Sequence, residues 1–301
     1  MKELFYKLIY NKKVNWVLRN LNKNFKFLLP FKLPPSGIIT IKIDKSLQFK
    51  MHTNQSNYLT KLVFWEGHKN FEYTPIFIDI VKNTSTFYDI GANIGYYSLL
   101  ASTINKSINV VGFEPAKGPL NYFRKNVAQN KFSQIKIESI ALSDSNGEID
   151  FYEIRNPKYK YLKHNLAGES NTAGNVSNRN YEINKVNTIT LDDYIKKNHE
   201  EKIDLIKIDT EGTEHLILGH ADEVLSKMKP IVICETLFGR NENELEKIFT
   251  KYGYLFYNHT SKGLEKTETL IRTEENGVSN CFFVHPLRFN LISKFVINCN
   301  R

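Results

Sequence analysis

A turn that contains two glycines and follows an acidic residue lies within residues 87–101, FYDIGANIGYYSLLA. An apolar run reaches Asp89, and Gly91, Asn93 and Gly95 then lead into a helical pattern. Gly91 and Gly95 can adopt positive φ angles, and they allow a ligand to approach the backbone closely. This strand-turn-helix pattern predicts a site for a nucleotide-type cofactor.

The charge before the turn helps to identify the cofactor. A dinucleotide site uses Gly-x-Gly-x-x-Gly and a helix N-terminus that is open to a pyrophosphate. Here the spacing is Gly-x-x-x-Gly, and the carboxylate of Asp89 would oppose a pyrophosphate. A carboxylate suits the cationic amino group and sulfonium of S-adenosylmethionine, so we expect Asp89 to face this methyl donor.

Two further segments complete the predicted cofactor site. Glu114 ends the run NVVGFE, 25 positions after Asp89, where an acid can accept hydrogen bonds from both hydroxyls of a ribose. Residues 139–144 end the next run, at the place where an adenine ring would rest. We expect Ala141 and Leu142 to supply apolar contacts to that ring.

A second group of acids follows the later strand candidates. Asp209 ends the apolar run of LIKIDTEGTEHLILGH, Glu211 and Glu214 follow it, and Glu235 ends PIVICE. Methyl transfer to a hydroxyl requires a base, which could be Asp209, Glu211 or Glu235, or two of these acids could bind a divalent cation. The spacing does not match a metal-ligand set, so we predict no metal site. Glu214 could instead stabilise the first turn of a helix.

The elements that carry these residues alternate between strand and helix. Short runs rich in strand-forming residues occur at 86–90, 109–113, 135–142, 203–209, 230–236, 253–258 and 280–285. Such alternation predicts a doubly wound, mostly parallel sheet of an α/β protein, with ligands at the carboxyl ends of the strands. Residues 37–51 alternate as a β-hairpin does, and the polar stretch 155–186 is predicted to be a long loop that could cover the acceptor.

The positive charge is concentrated near the start of the sequence. The 301 residues carry a formal charge of +9, and residues 1–35 contain eight Lys or Arg against one acid. One or two amphipathic helices are expected there, either as a cap on the main domain or as a contact with an anionic membrane. We divide the chain into this extension, a lead-in segment over 36–85 and a catalytic domain over 86–301.

Cysteine content and hydropathy indicate the compartment. The three cysteines are odd in number and widely spaced, and they form no CxxC pair. Lysines interrupt the apolar residues near the start before they reach the length of a signal-peptide core, and no apolar stretch reaches membrane-spanning length. We therefore expect a cytoplasmic protein, in part peripheral to the inner face of a membrane.

Several sequence motifs, in the order in which they occur, resemble those of the FkbM family of methyltransferases. They are FWEGHKNFE, DIGANIGYYS, VGFEP, ESIALSD, TITLDDY, LIKIDTEGTEHLILG, PIVICET and CFFV, over about residues 60–285. The resemblance implies a class I, Rossmann-like methyltransferase fold with a seven-stranded sheet, S-adenosylmethionine as donor, and O-methylation of sugars or natural products. The following residues would bind the cofactor: Asp89, Gly91, Ala92, Asn93, Gly95, Glu114, Ala141 and Leu142. Asp209, Glu211 and Glu235 would line the reaction side.

Two other functional classes have less support in the sequence. The basic extension raises the possibility of a nucleic-acid methyltransferase, but the phrase at 209–212 is Asp-Thr-Glu-Gly, without the Pro-Pro-aromatic motif of enzymes that methylate base amino groups. An NAD-dependent sugar oxidoreductase would need the three-glycine fingerprint, which is missing. We favour a hydroxyl acceptor on a glycan, a lipid-linked sugar or a natural product, as in polysaccharide biosynthesis.

Overall fold

The glycine turn and the acidic strand ends belong to one large sheet. The computed structural model describes residues 2–24, 32–155, 157–167 and 181–297. In those ranges the α-helices are α1 (Lys2–Ile9), α2 (Lys12–Asn24), α3 (Tyr58–Glu66), α4 (Thr74–Val81), α5 (Tyr96–Ile104), α6 (Lys117–Asn130), α7 (Leu191–Asn198), α8 (Glu214–Leu218) and α9 (Glu242–Lys251). The strands are β1 (Gly37–Lys42), β2 (Gln48–Thr53), β3 (Thr86–Ile90), β4 (Asn109–Phe113), β5 (Ile135–Glu138), β6 (Ala141–Leu142), β7 (Gly147–Ile154), β8 (Tyr181–Ile189), β9 (Leu205–Ile208), β10 (Ile231–Glu235), β11 (Leu255–Thr260), β12 (Gly263–Thr267), β13 (Asn280–Val284) and β14 (Val296–Ile297).

The central sheet has the order β14-β12-β11-β13-β10-β9-β3-β4-β5. Strands β5, β4, β3, β9 and β10 run parallel to one another, and β13 runs antiparallel to β10 and β11. From β3 the chain adds β4 and β5 on one side, and it later adds β9 and β10 on the other side of β3. This reversal of strand order at β3 creates a crevice at the carboxyl ends of the strands, where doubly wound sheets bind ligands. The predicted α/β fold is confirmed.

The predicted strand count of seven is wrong. The seven strand candidates each contribute a strand to this sheet, but β12 and β14 extend it beyond β11 to nine. Strand β12 has the sequence GLEKT and follows β11 through a tight turn. Such a short polar strand lacks the apolar run by which strands are recognised in a sequence.

Alternate residues of the central strands fill two cores. Phe87, Val110 and Leu205 pack with α3, α4 and α5 on one face of the sheet. On the other face, Tyr88 and Ile206 pack with α7, α8 and α9. Because both faces are covered, most residues of these strands are apolar.

The segments around residues 135–189 depart from the prediction in two places. The run 135–142 divides into β5 and β6, and β6 leaves the central sheet to join β7 and β8 in a three-stranded sheet. Residues 181–186, predicted to be part of a loop, form the first part of β8 and pair with β7. In YEINKVNTI the buried residues Asn184, Val186 and Thr188 are mostly polar, so the sequence lacks the regular alternation that indicates a half-buried strand. Residues 168–180 of the predicted loop lie outside the described residues.

The start of the chain contains two helices and a hairpin, where one or two helices and a hairpin were predicted. Helices α1 and α2 precede the hairpin of β1 and β2, which pairs Gly37 with Thr53 and Lys42 with Gln48. In the described part of the chain, no helix has the length and apolar character needed to cross a bilayer.

Candidate active site

A cavity of about 340 Å³ lies at the carboxyl ends of β3, β4, β9 and β10. It brings together most of the residues that the sequence predicts for the site. The predicted residues that line it are Gly91, Ala92, Asn93, Glu114, Ala141, Leu142, Asp209, Glu211 and Glu235. Asp89 and Gly95 are not among its lining residues.

Gly91 allows the ends of β3 and β9 to meet. Its φ angle is 72°, in the left-handed region, and a β-carbon there would overlap the carbonyl oxygen of Asp209. Gly95, at φ 85°, precedes α5, and a β-carbon there would overlap the ring of Phe123. One glycine therefore shapes the cavity wall, whereas the other permits packing between helices α5 and α6.

Asp89, which the sequence predicts to face the donor, is buried next to the cavity and is not among its lining residues. Its side chain is 1% exposed and lies behind the cavity wall. Its Oδ2 accepts hydrogen bonds from the backbone N–H of Ser98 at 3.0 Å and from the Ser98 hydroxyl at 2.6 Å. Its Oδ1 lies 3.9 Å from Nζ of Lys207. Asp89 thus fixes the first turns of α5 and faces a buried cation of the protein itself.

Lys207 is a site residue that the sequence analysis missed. It is 5% exposed, lines the cavity, and donates a hydrogen bond from Nζ to the carbonyl oxygen of Gly91 at 3.0 Å. Its Nζ is also 3.4 Å from Oδ2 of Asp209. Burial alone would lower the pKa of Lys207, but Asp209 and Asp89 outweigh it and raise the pKa. A lysine inside the apolar run LIKI was the available signal.

Glu114 joins the glycine turn to the end of β4. Its Oε2 accepts a hydrogen bond from the N–H of Asn93 at 2.7 Å, and its Oε1 accepts one from the N–H of Ala116 at 2.8 Å. Burial raises the pKa of Glu114 to about 7, although these two hydrogen bonds act in the opposite direction. Each carboxylate oxygen can accept a further hydrogen bond, so this residue can still bind a pair of hydroxyls.

The acids that follow β9 and β10 share one side of the cavity. Burial, followed by the charges of Asp209 and Glu214, raises the pKa of Glu211 to about 7. Burial and the charges of Asp209 and Glu211 raise the pKa of Glu235 well above its usual range. Oε2 of Glu235 is buried and has no hydrogen-bond partner among the described residues.

Glu72 is a second cavity residue that the sequence pattern does not predict. It lines the cavity, and its Oε2 accepts a hydrogen bond from the hydroxyl of Tyr97 at 2.9 Å. Burial raises its pKa, while this hydrogen bond acts in the opposite direction. Its backbone φ of 42° is unusual for a residue other than glycine. The phrase FWEGHKNFE contains it, but its place in the site depends on how α3 and α4 fold over the sheet.

Glu214 is not among the residues that line the cavity, and its carboxylate forms hydrogen bonds within the protein. It is fully buried, and its Oε1 accepts hydrogen bonds from the N–H and hydroxyl of Thr210 and from the N–H of Gly212. Its Oε2 accepts a hydrogen bond from the side-chain amide of Asn241 at 2.9 Å. Glu214 therefore holds the loop that presents Asp209 and Glu211.

The composition of the cavity wall fits S-adenosylmethionine. The ionisable groups that line it are five carboxyl groups (Glu72, Glu114, Asp209, Glu211 and Glu235) and the amino group of Lys207. This acidic surplus favours a cationic ligand. The unpaired Oε2 of Glu235 can accept a hydrogen bond from such a ligand. Ile140, Ala141, Leu142 and Phe151 provide an apolar wall suited to a flat ring. Across the described ranges, no cluster of three or more His, Cys, Asp or Glu is arranged to bind a metal ion.

Comparisons with known proteins found several similar solved structures. Among solved structures, the chain is similar to a methyltransferase FkbM from Methylobacillus flagellatus KT, at 16% identity and TM-score 0.43, covering 67% of this chain and 44% of that chain. It is also similar to precorrin-6y C5,15-methyltransferase from Geobacter metallireducens GS-15, at 13% identity and TM-score 0.40, covering 81% and 93%. A third similar structure is TYW2 from M. jannaschii in complex with AdoMet, at 13% identity and TM-score 0.37, covering 83% and 87%.

The family assignment follows from the sequence match. The chain spans less than half of the Methylobacillus structure, and the search of curated proteins found no match. The model of the methyltransferase FkbM domain matches residues 89–256, which is more than half of the chain and includes both the glycine turn and the acidic strand ends. This chain therefore belongs to the FkbM family of S-adenosylmethionine-dependent methyltransferases.

Proposed function

We propose that the protein is an O-methyltransferase that methylates a hydroxyl group of a glycan, a lipid-linked sugar or a natural product. One observation carries the proposal. Three acids, Asp209, Glu211 and Glu235, line the same cavity as the Gly91 turn and Glu114. The cavity thus combines a surface for the donor with carboxylates that can accept the proton of a weakly acidic hydroxyl.

On the donor side, we assign roles by contact and chemistry. Glu114 binds the ribose hydroxyls, the backbone of Gly91 to Asn93 packs against the donor, and Ala141 and Leu142 contact the adenine. Asp89 and Gly95 act indirectly, because they hold α5 and its neighbours in place. When bound, S-adenosylmethionine supplies a methyl group on a positively charged sulfur. The acidic surplus of the cavity stabilises that charge before transfer.

On the acceptor side, we assign Glu211 as the general base. Oδ2 of Asp209 lies 3.4 Å from Nζ of Lys207, and burial together with the charges of Asp209 and Glu211 raises the pKa of Glu235 to about 9. The pKa of Glu211, about 7, suits proton transfer at the pH of the cell. In this assignment Glu211 removes the proton as the hydroxyl oxygen attacks the methyl carbon in line.

The turnover number at saturating donor is expected to rise with pH up to about 7 and then to level off. Glu211 must be deprotonated to act, so below its pKa the rate should fall by about tenfold per pH unit. The positive charge of the donor lowers this pKa, which places the inflection at or below about 7. Glu211→Gln should lower the turnover number by about 10²- to 10⁴-fold and remove the inflection.

Glu235→Gln and Asp209→Asn are the matched variants for this experiment, since both acids line the same cavity. Each should keep the pH inflection. If the inflection persists in Glu211→Gln but disappears in Glu235→Gln or Asp209→Asn, the acid replaced in that variant is the base. The dissociation constant of the donor, measured at each pH, separates the titration of Glu114 from that of Glu211.

Mass spectrometry of cellular glycans, with and without the protein, tests the acceptor class. The expected result is a mass gain of one methyl group in place of hydrogen on a sugar hydroxyl, present with the wild type and missing with Glu211→Gln. Methylation of RNA or DNA by the purified protein, with no change in glycans or small molecules, would overturn the hydroxyl proposal.

We also propose that the protein works at the cytoplasmic face of a membrane and contacts it through residues 1–35. The eight basic residues of this segment support the proposal, because anionic lipids attract such clusters. The predicted cover over the acceptor remains part of the proposal, and its segment 168–180 lies outside the described residues.

A further inference from the structure

Helices α1 and α2 expose most of their large apolar side chains. Fourteen large apolar side chains are exposed in the described residues, and six of them lie in these two helices. They are Leu4, Phe5, Leu8, Trp16, Val17 and Leu21. Leu4 is 75% exposed and Trp16 is 59% exposed, so these side chains are not packed on the domain. An exposed apolar patch of this kind marks an interaction surface.

The buried side of α2 is polar, which is the reverse of an ordinary surface helix. Asn15 donates a side-chain hydrogen bond to the carbonyl oxygen of Pro34 at 3.2 Å and accepts one from the N–H of Ser36 at 2.7 Å. The Arg19 guanidinium lies 4.9 Å from the ring centre of Phe64. The helix is therefore attached through its polar side, and this attachment leaves its apolar side facing outward.

Exposed lysines surround the apolar residues. Lys2, Lys7, Lys12, Lys13 and Lys23 are exposed, and Glu3 is the one acid of α1 and α2. Apolar side chains flanked by lysines suit the interface of an anionic bilayer, where the rings and aliphatic chains enter the acyl boundary and the lysines meet phosphate groups. We propose that α1 and α2 form a docking surface for an anionic lipid bilayer.

One short segment of the chain connects this docking surface with a wall of the cavity. The ring of Tyr6 in α1 contacts the ring of Tyr159 edge to face, with 5.5 Å between centroids. Tyr159 lies near the start of the described segment 157–167, and Leu166 and Ala167 at its other end line the cavity. Docking would hold that wall near the lipid. In this respect the inference deepens the proposed function and rests on it, because it selects a lipid-linked hydroxyl from the proposed acceptors.

Tryptophan emission of the full chain tests the docking. The protein has two tryptophans, and Trp65 donates a hydrogen bond to the carbonyl oxygen of Leu33, while Trp16 is exposed. In Trp65→Phe, emission should shift to shorter wavelength on addition of vesicles of phosphatidylglycerol and phosphatidylcholine, and stay unchanged with phosphatidylcholine alone. Co-sedimentation of the wild type with the same vesicles provides the measurement if this variant folds poorly.

The variant Leu4→Ser/Phe5→Ser/Leu8→Ser should lose binding to anionic vesicles by more than tenfold. Leu287→Ser is the matched control, since Leu287 is 73% exposed and lies far along the chain from both helices; it should bind as the wild type does. Lys12→Gln/Lys13→Gln should weaken binding by about fivefold per lysine at low salt. Wild-type protein that stays in solution with anionic vesicles, or a triple serine variant that binds fully, would overturn the docking.

Two measurements distinguish lipid docking from self-association and from a defect in the donor site. If the wild type elutes as a dimer that the triple serine variant disrupts, and neither binds vesicles, the surface serves self-association and the lipid proposal fails. Donor binding by titration calorimetry should be equal in the wild type and the triple serine variant. Loss of donor binding in both would count against the proposed function and leave the vesicle result unaffected.

Discussion

Lys207→Met should destabilise the protein, and the destabilisation should increase with pH. Lys207 is a cation placed beside Asp89 and Asp209, and removing one member of a buried ion pair typically costs about 3–5 kcal/mol. Burial already raises the pKa of Asp89, and without the ammonium it would rise further. A carboxyl group whose pKa is raised in the native state does not lower the free energy of unfolding when the pH is below its pKa in the unfolded state. Above that pH, the loss of free energy of unfolding grows until the pH reaches the native pKa.

Thermal unfolding at about pH 5 and about pH 8 measures this effect. The melting temperature of Lys207→Met should fall below the wild type by about 2–4 °C for each kcal/mol lost, and further at the higher pH. Donor affinity should fall as well, because Nζ of Lys207 no longer fixes the carbonyl of Gly91. Calorimetric titration with S-adenosylmethionine measures that loss.

Two variants serve as controls for Lys207. Asp89→Asn/Lys207→Met removes the buried carboxylate together with its partner, so it should be more stable than Lys207→Met at the higher pH. Lys202→Met removes an exposed lysine just before β9, whose Nζ is 3.1 Å from Oδ1 of Asp204. It should change the free energy of unfolding by about 0.5 kcal/mol or less. Equal stability of Lys207→Met and Lys202→Met at the higher pH would contradict the ion-pair explanation.

The sequence predicted those parts of the site that depend on strand ends. Asp209 and Glu235 were placed at one edge because neighbouring parallel strands finish together, and the pairing of β9 with β3 and β10 confirms this. Gly91 and Glu114 followed from the same rule. In each case a local pattern determines where the strand stops, and the sheet then brings the ends together.

The remaining features depend on information that the strand pattern does not hold. Asp89 was correctly placed at the end of β3, but the direction of its side chain depends on Ser98, which lies nine positions later in α5. Lys207 lies within β9, before its last residue, so the rule for strand ends does not select it. Glu72 reaches the cavity from the segment between α3 and α4, and no spacing rule relates that segment to β9. Side-chain direction and packing between distant segments therefore account for the misses.

Gly91→Ala should cause the largest loss of activity among single substitutions that leave every charge in place. Gly91 has a φ of 72°, and a β-carbon would overlap the carbonyl oxygen of Asp209. That oxygen belongs to backbone, so relief requires the ends of β3 and β9 to move apart. Such a shift displaces the Gly91 turn relative to Asp209 and Glu211. A displacement of about 1 Å between reacting groups can lower the rate by about 10²-fold.

Gly253→Ala separates the overlap from the cost of backbone conformation. Gly253 has a φ of 73°, nearly equal to that of Gly91, but a β-carbon there would have no heavy atom within 4 Å. Both substitutions cost about 1–2 kcal/mol for holding alanine in the left-handed region. Only Gly91→Ala should also lose donor binding and turnover, measured by calorimetric titration and single-turnover kinetics. If both variants bind the donor with equal affinity, the close contact between β3 and β9 does not determine the shape of the site. If only Gly91→Ala loses donor affinity, that contact does determine it.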